Sequence, residues 1–244
     1  MDELLYGRNP VQEALKSDIS VGRVYLLKDG QHHNKDIVAL AKMKGIVVDY
    51  VDRITLDKKA GNSHHQGVVA EIAPIVYLDW RDLLANADQR GEVPLLLLLD
   101  HIEDPHNLGA IIRSALCFGV HGIVLPKKRS VHINATVIKA SAGAALHMPV
   151  AMVANLAQTM DSLKEQGLWI AGTDAKGELL RGHAALAGPL AVVIGNEGKG
   201  LGALVAQKCD FILRIPMENT LNSLNASVAA GIVLYDIVQQ RRAL

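Results

Sequence analysis

Short runs of apolar, β-branched residues alternate with segments of 3.6-residue periodicity from one end of this chain to the other, the pattern of an α/β layered protein. In the first third the spacing predicts a helix over 10–15, strands over 21–27 and 46–51 with a helix over 35–44 between them, and a strand over 67–72. The pattern weakens between Pro74 and Val93, where 83–92 reads as a short helix running into a polar loop, so a linker is expected to begin at the proline. From Leu95 the character changes. Leu95-Leu-Leu-Leu-Leu-Asp100 is an unbroken apolar run, as expected of a strand buried on both faces of a parallel sheet. Similar runs follow at 122–125, 150–153, 168–173, 191–194 and 211–215, which predicts a sheet of about five or six parallel strands. Leu108, Ile111, Ile112, Ala115 and Leu116 make one helical apolar stripe, and Leu224, Val228, Ile232 and Tyr235 make another after the last strand. The expected domains are 1–73, a linker over 74–92, and 93–244.

Composition narrows the class. With 244 residues, half of them hydrophobic, and 25 Lys+Arg balanced by 25 Asp+Glu, the chain is globular and long enough to bury a core without covalent staples. Cys117 and Cys209 sit in no CxxC or Cys/His spacing and read as small buried hydrophobes. The pairs His32-His33 and His64-His65 have no acidic or thiol partners at ligand spacing, so no metal is expected. No charged segment leads into an apolar one at the start, and no apolar run approaches the roughly 20 residues of a membrane span. A cytoplasmic protein is expected. Zero net charge argues against holding nucleic acid by bulk cation density, although Lys58-Lys59, Lys127-Lys128-Arg129 and Arg241-Arg242 are either local basic patches or solvated turns and helix ends.

In an open parallel sheet, ligands bind beyond the carboxyl ends of the strands. Three loops there are unusually polar or glycine-rich. The first runs from Asp100 through Pro105 and Asn107 to Arg113, which lies off the apolar stripe and faces either solvent or a ligand. The second, Ile194-Gly-Asn-Glu-Gly-Lys-Gly-Leu201, matches neither a P-loop nor a dinucleotide fingerprint, because its order is GxxGxG and its lysine precedes glycine. Its glycines suit either close approach of backbone to a flat ligand or a tight strand-to-helix turn. The third runs from Arg214 to Ser227, with Ser223 as a candidate helix cap and Asn222, Asn225 and Ser227 beyond what capping needs. No GxSxG elbow is present, which removes the α/β-hydrolases, and the missing glycine fingerprint counts against a nicotinamide-dependent dehydrogenase.

Taken in order, Asn107-Leu-Gly-Ala-Ile-Ile-Arg113, the 194–201 loop, and Ile215-Pro-Met217 leading to Ser223-Leu-Asn-Ala-Ser227 resemble the SpoU (TrmH-like) branch of the SPOUT RNA methyltransferases. The resemblance covers the chain from about Leu95 onward. The front part, with Tyr6-Gly-Arg-Asn-Pro-Val-Gln-Glu-Ala-Leu15 and Gly67-Val-Val-Ala70, looks like the small substrate-binding domain of the bacterial enzyme that methylates a guanosine ribose in 23S ribosomal RNA. It implies an α/β protein: a C-terminal parallel-sheet methyltransferase domain closed by a trefoil knot, and an N-terminal α/β RNA-binding domain similar to ribosomal proteins. It further implies S-adenosylmethionine as cofactor, a homodimer, and 23S ribosomal RNA as partner. Carried over by motif, Thr173, Gly195, Ile215, Met217 and Leu224 would hold the cofactor, and Asn107, Arg113, Glu197, Ser223 and Asn225 would form the reaction and RNA site. Arg113 is a cation for a phosphate or a developing 2′-oxyanion, since a guanidinium stays protonated in ordinary sites. Transfer RNA is the alternative substrate, and a non-catalytic RNA-binding or ribosome-assembly protein is the alternative of another class.

Overall fold

The computed structural model of the protein describes residues 3–28, 34–61, 64–179, 184–196, 198–218 and 223–243. Its contacts group Met1–Val76 with His132–His147 in one unit, and Tyr77–Val131 with Met148–Leu244 in a second.

The first unit is built on a four-stranded mixed sheet. Its elements are β1 (Glu3–Tyr6), α1 (Arg8–Lys16), β2 (Val21–Leu27), α2 (Lys35–Met43), β3 (Val47–Val51), α3 (Arg53–Ala60) and β4 (Val68–Ile72). The strand order is β1-β4-β2-β3, with β4 antiparallel to both of its neighbours and β2 parallel to β3. Neither β1 nor α3 is visible in the pattern. Helix α3 starts on Asp52, which accepts from the Thr55 N–H at 2.8 Å, and ends at left-handed Gly61, but it buries only Leu56 and so shows no stripe.

The second unit begins earlier than the sequence suggests. The expected linker contains α4 (Trp80–Arg90), capped by Asp79 and closed by left-handed Gly91, with Leu83 and Ala87 fully buried. Leu83 lies against the next strand but one so tightly that a Cβ on Gly122 would stand 2.7 Å from it. After α4 come β5 (Leu95–Leu99), α5 (Pro105–Cys117) and β6 (Gly122–Pro126). The chain then passes through α6 (Ala135–Ala140), which belongs to the first unit. There Gly143, at φ +91°, passes so close to α1 that a Cβ would stand 2.5 Å from that of Glu13, and Lys139 stands over the Tyr6 ring. This segment also departs from the expected domain division, because a short helix interrupting a run of strands carries no local sign of which sheet it will cover.

The remaining elements are β7 (Val150–Val153), α7 (Leu156–Glu165), β8 (Trp169–Leu179), β9 (Leu190–Ile194), α8 (Ala203–Lys208), β10 (Phe211–Arg214) and α9 (Ala226–Arg242). Together with β5 and β6 they form a six-stranded, all-parallel sheet in the order β10-β8-β9-β5-β6-β7. The leucines of β5 are buried throughout because helices cover both faces of a central parallel strand.

Helix α9 packs along α5, but on a different face from the one its stripe suggests. Ala226, Ala230, Val233, Leu234 and Ile237 are buried, whereas Val228, Ile232 and Tyr235 are exposed. The helix carries two apolar faces and buries the one that includes Val233, Leu234 and Ile237. Cys117 is likewise exposed at the end of α5, and Cys209 is half-buried, its thiol pushed up to about 11 by desolvation.

Two polar clasps close the amino-terminal rim of the sheet. The buried His121 accepts the Leu95 N–H on Nδ1 at 3.0 Å and so presents Nε2 to Glu92, 2.9 Å away. Arg241 is not part of a surface basic patch. Its guanidinium donates to the carbonyls of Leu186, Val93, Pro94 and Gly188 at 2.6–3.1 Å, tying α9 to the starts of β5 and β9. Burial lowers its pKa, yet a guanidinium remains charged. Arg241→Ala is expected to lower the unfolding free energy by about 2–4 kcal/mol, because it removes a charged donor and strands several half-buried carbonyls. Arg241→Lys, with one donor centre in place of a planar fork, should recover only part; urea denaturation measures both.

Candidate functional site

At the carboxyl ends of β8, β9 and β10 the backbone leaves a cavity of about 350 Å³, within the range of small-molecule sites. Three segments make its walls. The first is an excursion in β8. Strand β10 pairs with Ala171 and Gly172 and then skips to Glu178 and Leu179, so residues 173–177 bulge out of the ladder. Thr173 anchors the bulge by donating its hydroxyl to the Val193 carbonyl at 3.0 Å, and Asp174 faces the cavity. Gly177 lets the strand return, since a Cβ there would stand 2.4 Å from the Ile212 carbonyl oxygen.

The second wall is the glycine loop after β9. The loop is the tight turn that its sequence allows, with Asn196 and Gly200 exchanging two backbone hydrogen bonds of 3.1 and 2.8 Å, and its backbone lines the cavity. Gly195 is the pivot. A Cβ there would lie 2.4 Å from the Gly200 carbonyl carbon and 2.6 Å from the Leu201 nitrogen, so only hydrogen fits. Glu197 lies outside the described residues.

The third wall follows β10, where Ile215, Met217, Ser223 and Leu224 face the cavity. Thr173, Gly195, Ile215, Met217 and Leu224 therefore line one space. Ser223 lines it too, but it does not cap α9. The helix begins at Ala226, and Asn225 is the cap, its side-chain oxygen accepting from the N–H groups of Ser227 and Val228. Ser223 stands two residues too early for that geometry.

A smaller hollow of about 230 Å³ adjoins the first and is lined by Ile102, Glu103, Asp104 and Asn107, with Asn196 and Gly198 of the glycine loop. The loop is thus a wall common to both. Helix α5 brings Asn107 here: Pro105 opens the first turn, and Asp104 caps it by accepting from the His106 N–H. Asn107 is buried, and its Oδ1 accepts from Asn225 Nδ2 at 2.9 Å, joining the first and third loops across 118 residues of sequence.

Arg113 is not brought into this cluster within the chain. It points outward from α5 on the exposed face that also carries Leu116 and Cys117. Sequence reasoning missed Asp174, Asn196 and Lys199, which line the cavity, and the acidic pair Glu103 and Asp104 of the smaller hollow. Asn196 and Lys199 stood inside the recognised glycine loop and could have been found from it; Asp174 stood on a strand whose bulge has Gly177 as its one local sign. Among the described residues no cluster of His, Cys, Asp and Glu could hold a metal, and no helix is long and apolar enough to cross a membrane.

Comparison with known proteins agrees with this architecture. Residues 94–235 match the SpoU rRNA Methylase family, and residues 4–78 match RNA 2′-O ribose methyltransferase substrate binding domains. A TrmH family tRNA/rRNA methyltransferase of Bacillus subtilis, YacO, is 45% identical over 240 residues, covering 98% of this chain and 96% of its own. The crystal structure of the SpoU methyltransferase AviRb from Streptomyces viridochromogenes, in complex with AdoMet, superposes with a TM-score of 0.83 at 24% identity. It covers 99% of this chain and 91% of that one, a likeness of fold. The A. aeolicus TrmH/SpoU tRNA modifying enzyme is 27% identical with a TM-score of 0.57, and covers 62% of this chain and 77% of its own. A glycine-walled cavity on a six-stranded parallel sheet, a separate N-terminal unit and these matches over nearly the whole length have one reading: the chain belongs to the SpoU/TrmH family of RNA methyltransferases.

Proposed function

We propose that this chain transfers a methyl group from S-adenosylmethionine to the ribose 2′-hydroxyl of a specific guanosine in 23S ribosomal RNA, acting in the cytoplasm as a homodimer. The observation that carries the reading is the pair of hollows divided by a single loop. One has apolar side chains and backbone polar groups suited to an adenosine, and the other has an amide and two carboxylates suited to hydroxyls.

The residues fit the cofactor. Ile194, Leu213 and Ala229 give the larger cavity an apolar side, the bare backbone at Gly195 allows close approach, and Asp174 adds an acceptor. When bound, S-adenosylmethionine supplies a methyl carbon already activated by the neighbouring sulfonium charge. What remains for the protein is chiefly alignment. Thr173, Gly195, Ile215, Met217 and Leu224 hold the cofactor, while Asn107, fixed by Asn225, orients the ribose, and Ser223 and Glu197 complete the reaction site. Arg113 supplies positive charge for a phosphate or for the oxygen as its proton leaves.

The N-terminal unit supports ribosomal over transfer RNA. The A. aeolicus tRNA modifying enzyme covers 62% of this chain, whereas residues 4–78, nearly all of them in the first unit, match substrate binding domains. Dimerisation gives a use to the exposed face of α5 and α9. Leu116, Val228, Ile232 and Tyr235 form an apolar surface there, Tyr235 packs edge-on against Phe118, and Arg113 stands on the same side of α5, so a second copy seated on it would cover that arginine.

Three outcomes follow. Labelled methyl from S-adenosylmethionine should enter a single large-subunit guanosine when ribosomal and transfer RNA are offered in parallel; label in transfer RNA would overturn the substrate. Arg113→Ala should lower kcat by about a hundredfold or more while the cofactor Kd changes less than about threefold, and equal loss of both would assign Arg113 a structural role. Tyr235→Asp should convert the dimer to monomer in analytical ultracentrifugation at micromolar protein, since a carboxylate buried in an apolar interface without a partner is costly.

A further inference from the structure

One buried carboxylate at the site has no part in the reaction described above. Asp100 follows the last residue of β5, is 1% exposed, and its own N–H donates to the Ile194 carbonyl at 2.9 Å, so it stands directly beside the root of the glycine loop. Its Oδ2 accepts the N–H of Gly202, where the loop ends, at 2.7 Å. The next residue holds the loop at its other end: the His101 carbonyl accepts from Asn196 Nδ2 at 2.9 Å. Two consecutive residues thus grip both ends of a loop that lies about 95 to 102 positions away.

The grip costs something. His101 has φ +61°, a left-handed conformation that side-chain-bearing residues rarely adopt, and a buried carboxylate is unfavourable unless its charge is met. His101 Nδ1 lies 2.5 Å from Asp100 Oδ1, although that oxygen has no hydrogen bond among the described residues. The imidazole lines neither hollow. It lies against the Asp100 carboxylate instead. A strained residue and a buried charge, both directed at one loop, are retained where they set the geometry of something else.

The geometry points to Asp100 as a positioning residue for methyl transfer, acting through the Gly202 N–H to fix the loop that forms the wall common to both hollows. This rests on the reading of the larger cavity as the cofactor site. Released from Asp100, the loop would still close on itself through Asn196 and Gly200 and keep its bond to the His101 carbonyl, but its Gly202 end would no longer be held at the end of β5. Cofactor affinity and turnover at saturating cofactor should then fall together, with binding of RNA unaffected.

The test uses the full chain with Asp100→Ala and Asp100→Asn; the second keeps an acceptor oxygen for Gly202 and removes the charge. Asp100→Ala is expected to raise the Kd for S-adenosylmethionine by about tenfold or more, and to lower kcat by at least a comparable factor with an RNA KM within about threefold of wild type. Asp100→Asn should restore the Kd to within about threefold. Hydrogen exchange of the peptide spanning Gly202, measured without cofactor, should be about tenfold faster in Asp100→Ala than in wild type. Unchanged exchange and Kd in Asp100→Ala would overturn the proposal, as would an Asn variant as defective as the Ala one. If Asp100→Ala does not fold, the Asn variant decides alone: tenfold weaker cofactor binding refutes the role. Wild-type protein that binds no S-adenosylmethionine would refute the reading of the cavity, while the exchange measurement would still judge the clamp.

Discussion

Backbone has to lie on backbone at the carboxyl ends of β8 and β9, and everything else about the site is arranged around that requirement. Gly195 touches Gly200 and Leu201, and Gly177 touches Ile212, at distances that leave no room for a single carbon. Such contacts contribute little burial of apolar surface, and they oblige every nearby N–H and C=O to find a partner without help from solvent. Partners come from the chain itself: Thr173 serves the Val193 carbonyl, Asp100 serves Gly202, and Asn196 serves His101. The glycine loop is therefore held by hydrogen bonds from residues beyond it as well as by the pair that Asn196 and Gly200 exchange.

The hydrophobic core supplies the platform for this. Leu95–Leu99 are buried from end to end, and α4, α5, α7, α8 and α9 cover the two faces of the sheet. One face of α9 is spent on α5, and the other is left for solvent or a second copy. Besides the buried Val233, Leu234 and Ile237, the helix leaves Val228, Ile232 and Tyr235 exposed, an apolar face with no cover among the described residues.

Most of the sheet was legible in the sequence. Each buried strand announces itself as an unbroken apolar run, and six parallel strands were found where five or six were expected. The three loops were legible as a set, because clustered polar and glycine residues directly after buried strands do nothing for the core and leave backbone open to a ligand. What escaped reading has physical causes. Helix α3 buries one side chain, so it has no stripe. Helix α9 has two apolar stripes, and no local feature says which of them is buried. Asn225 and Ser223 are equally good caps in isolation, and only the position of the first helical turn separates them. The bulge at 173–177 is a departure from regular pairing, and its one local sign is Gly177. The clasp residues Arg241 and Asp100 act on atoms far off in sequence, which no window of local pattern can contain.

Those distant partnerships have a consequence for how the protein is made. The carbonyls of Val93 and Pro94 wait for a donor 148 and 147 residues later; Asn107 waits 118 residues for Asn225, and Asp100 waits 102 for Gly202. On a ribosome the leucine strand emerges long before any of these. A nascent chain bearing β5 and β6 alone exposes a hydrophobic strand edge and open polar groups at both of its ends, a sticky species of the kind chaperones hold. The Asn107–Asn225 link at the cavity and the Arg241 clasp at the rim can close only after α9 has been made, whereas β6 and β9, the sheet partners of β5, precede it.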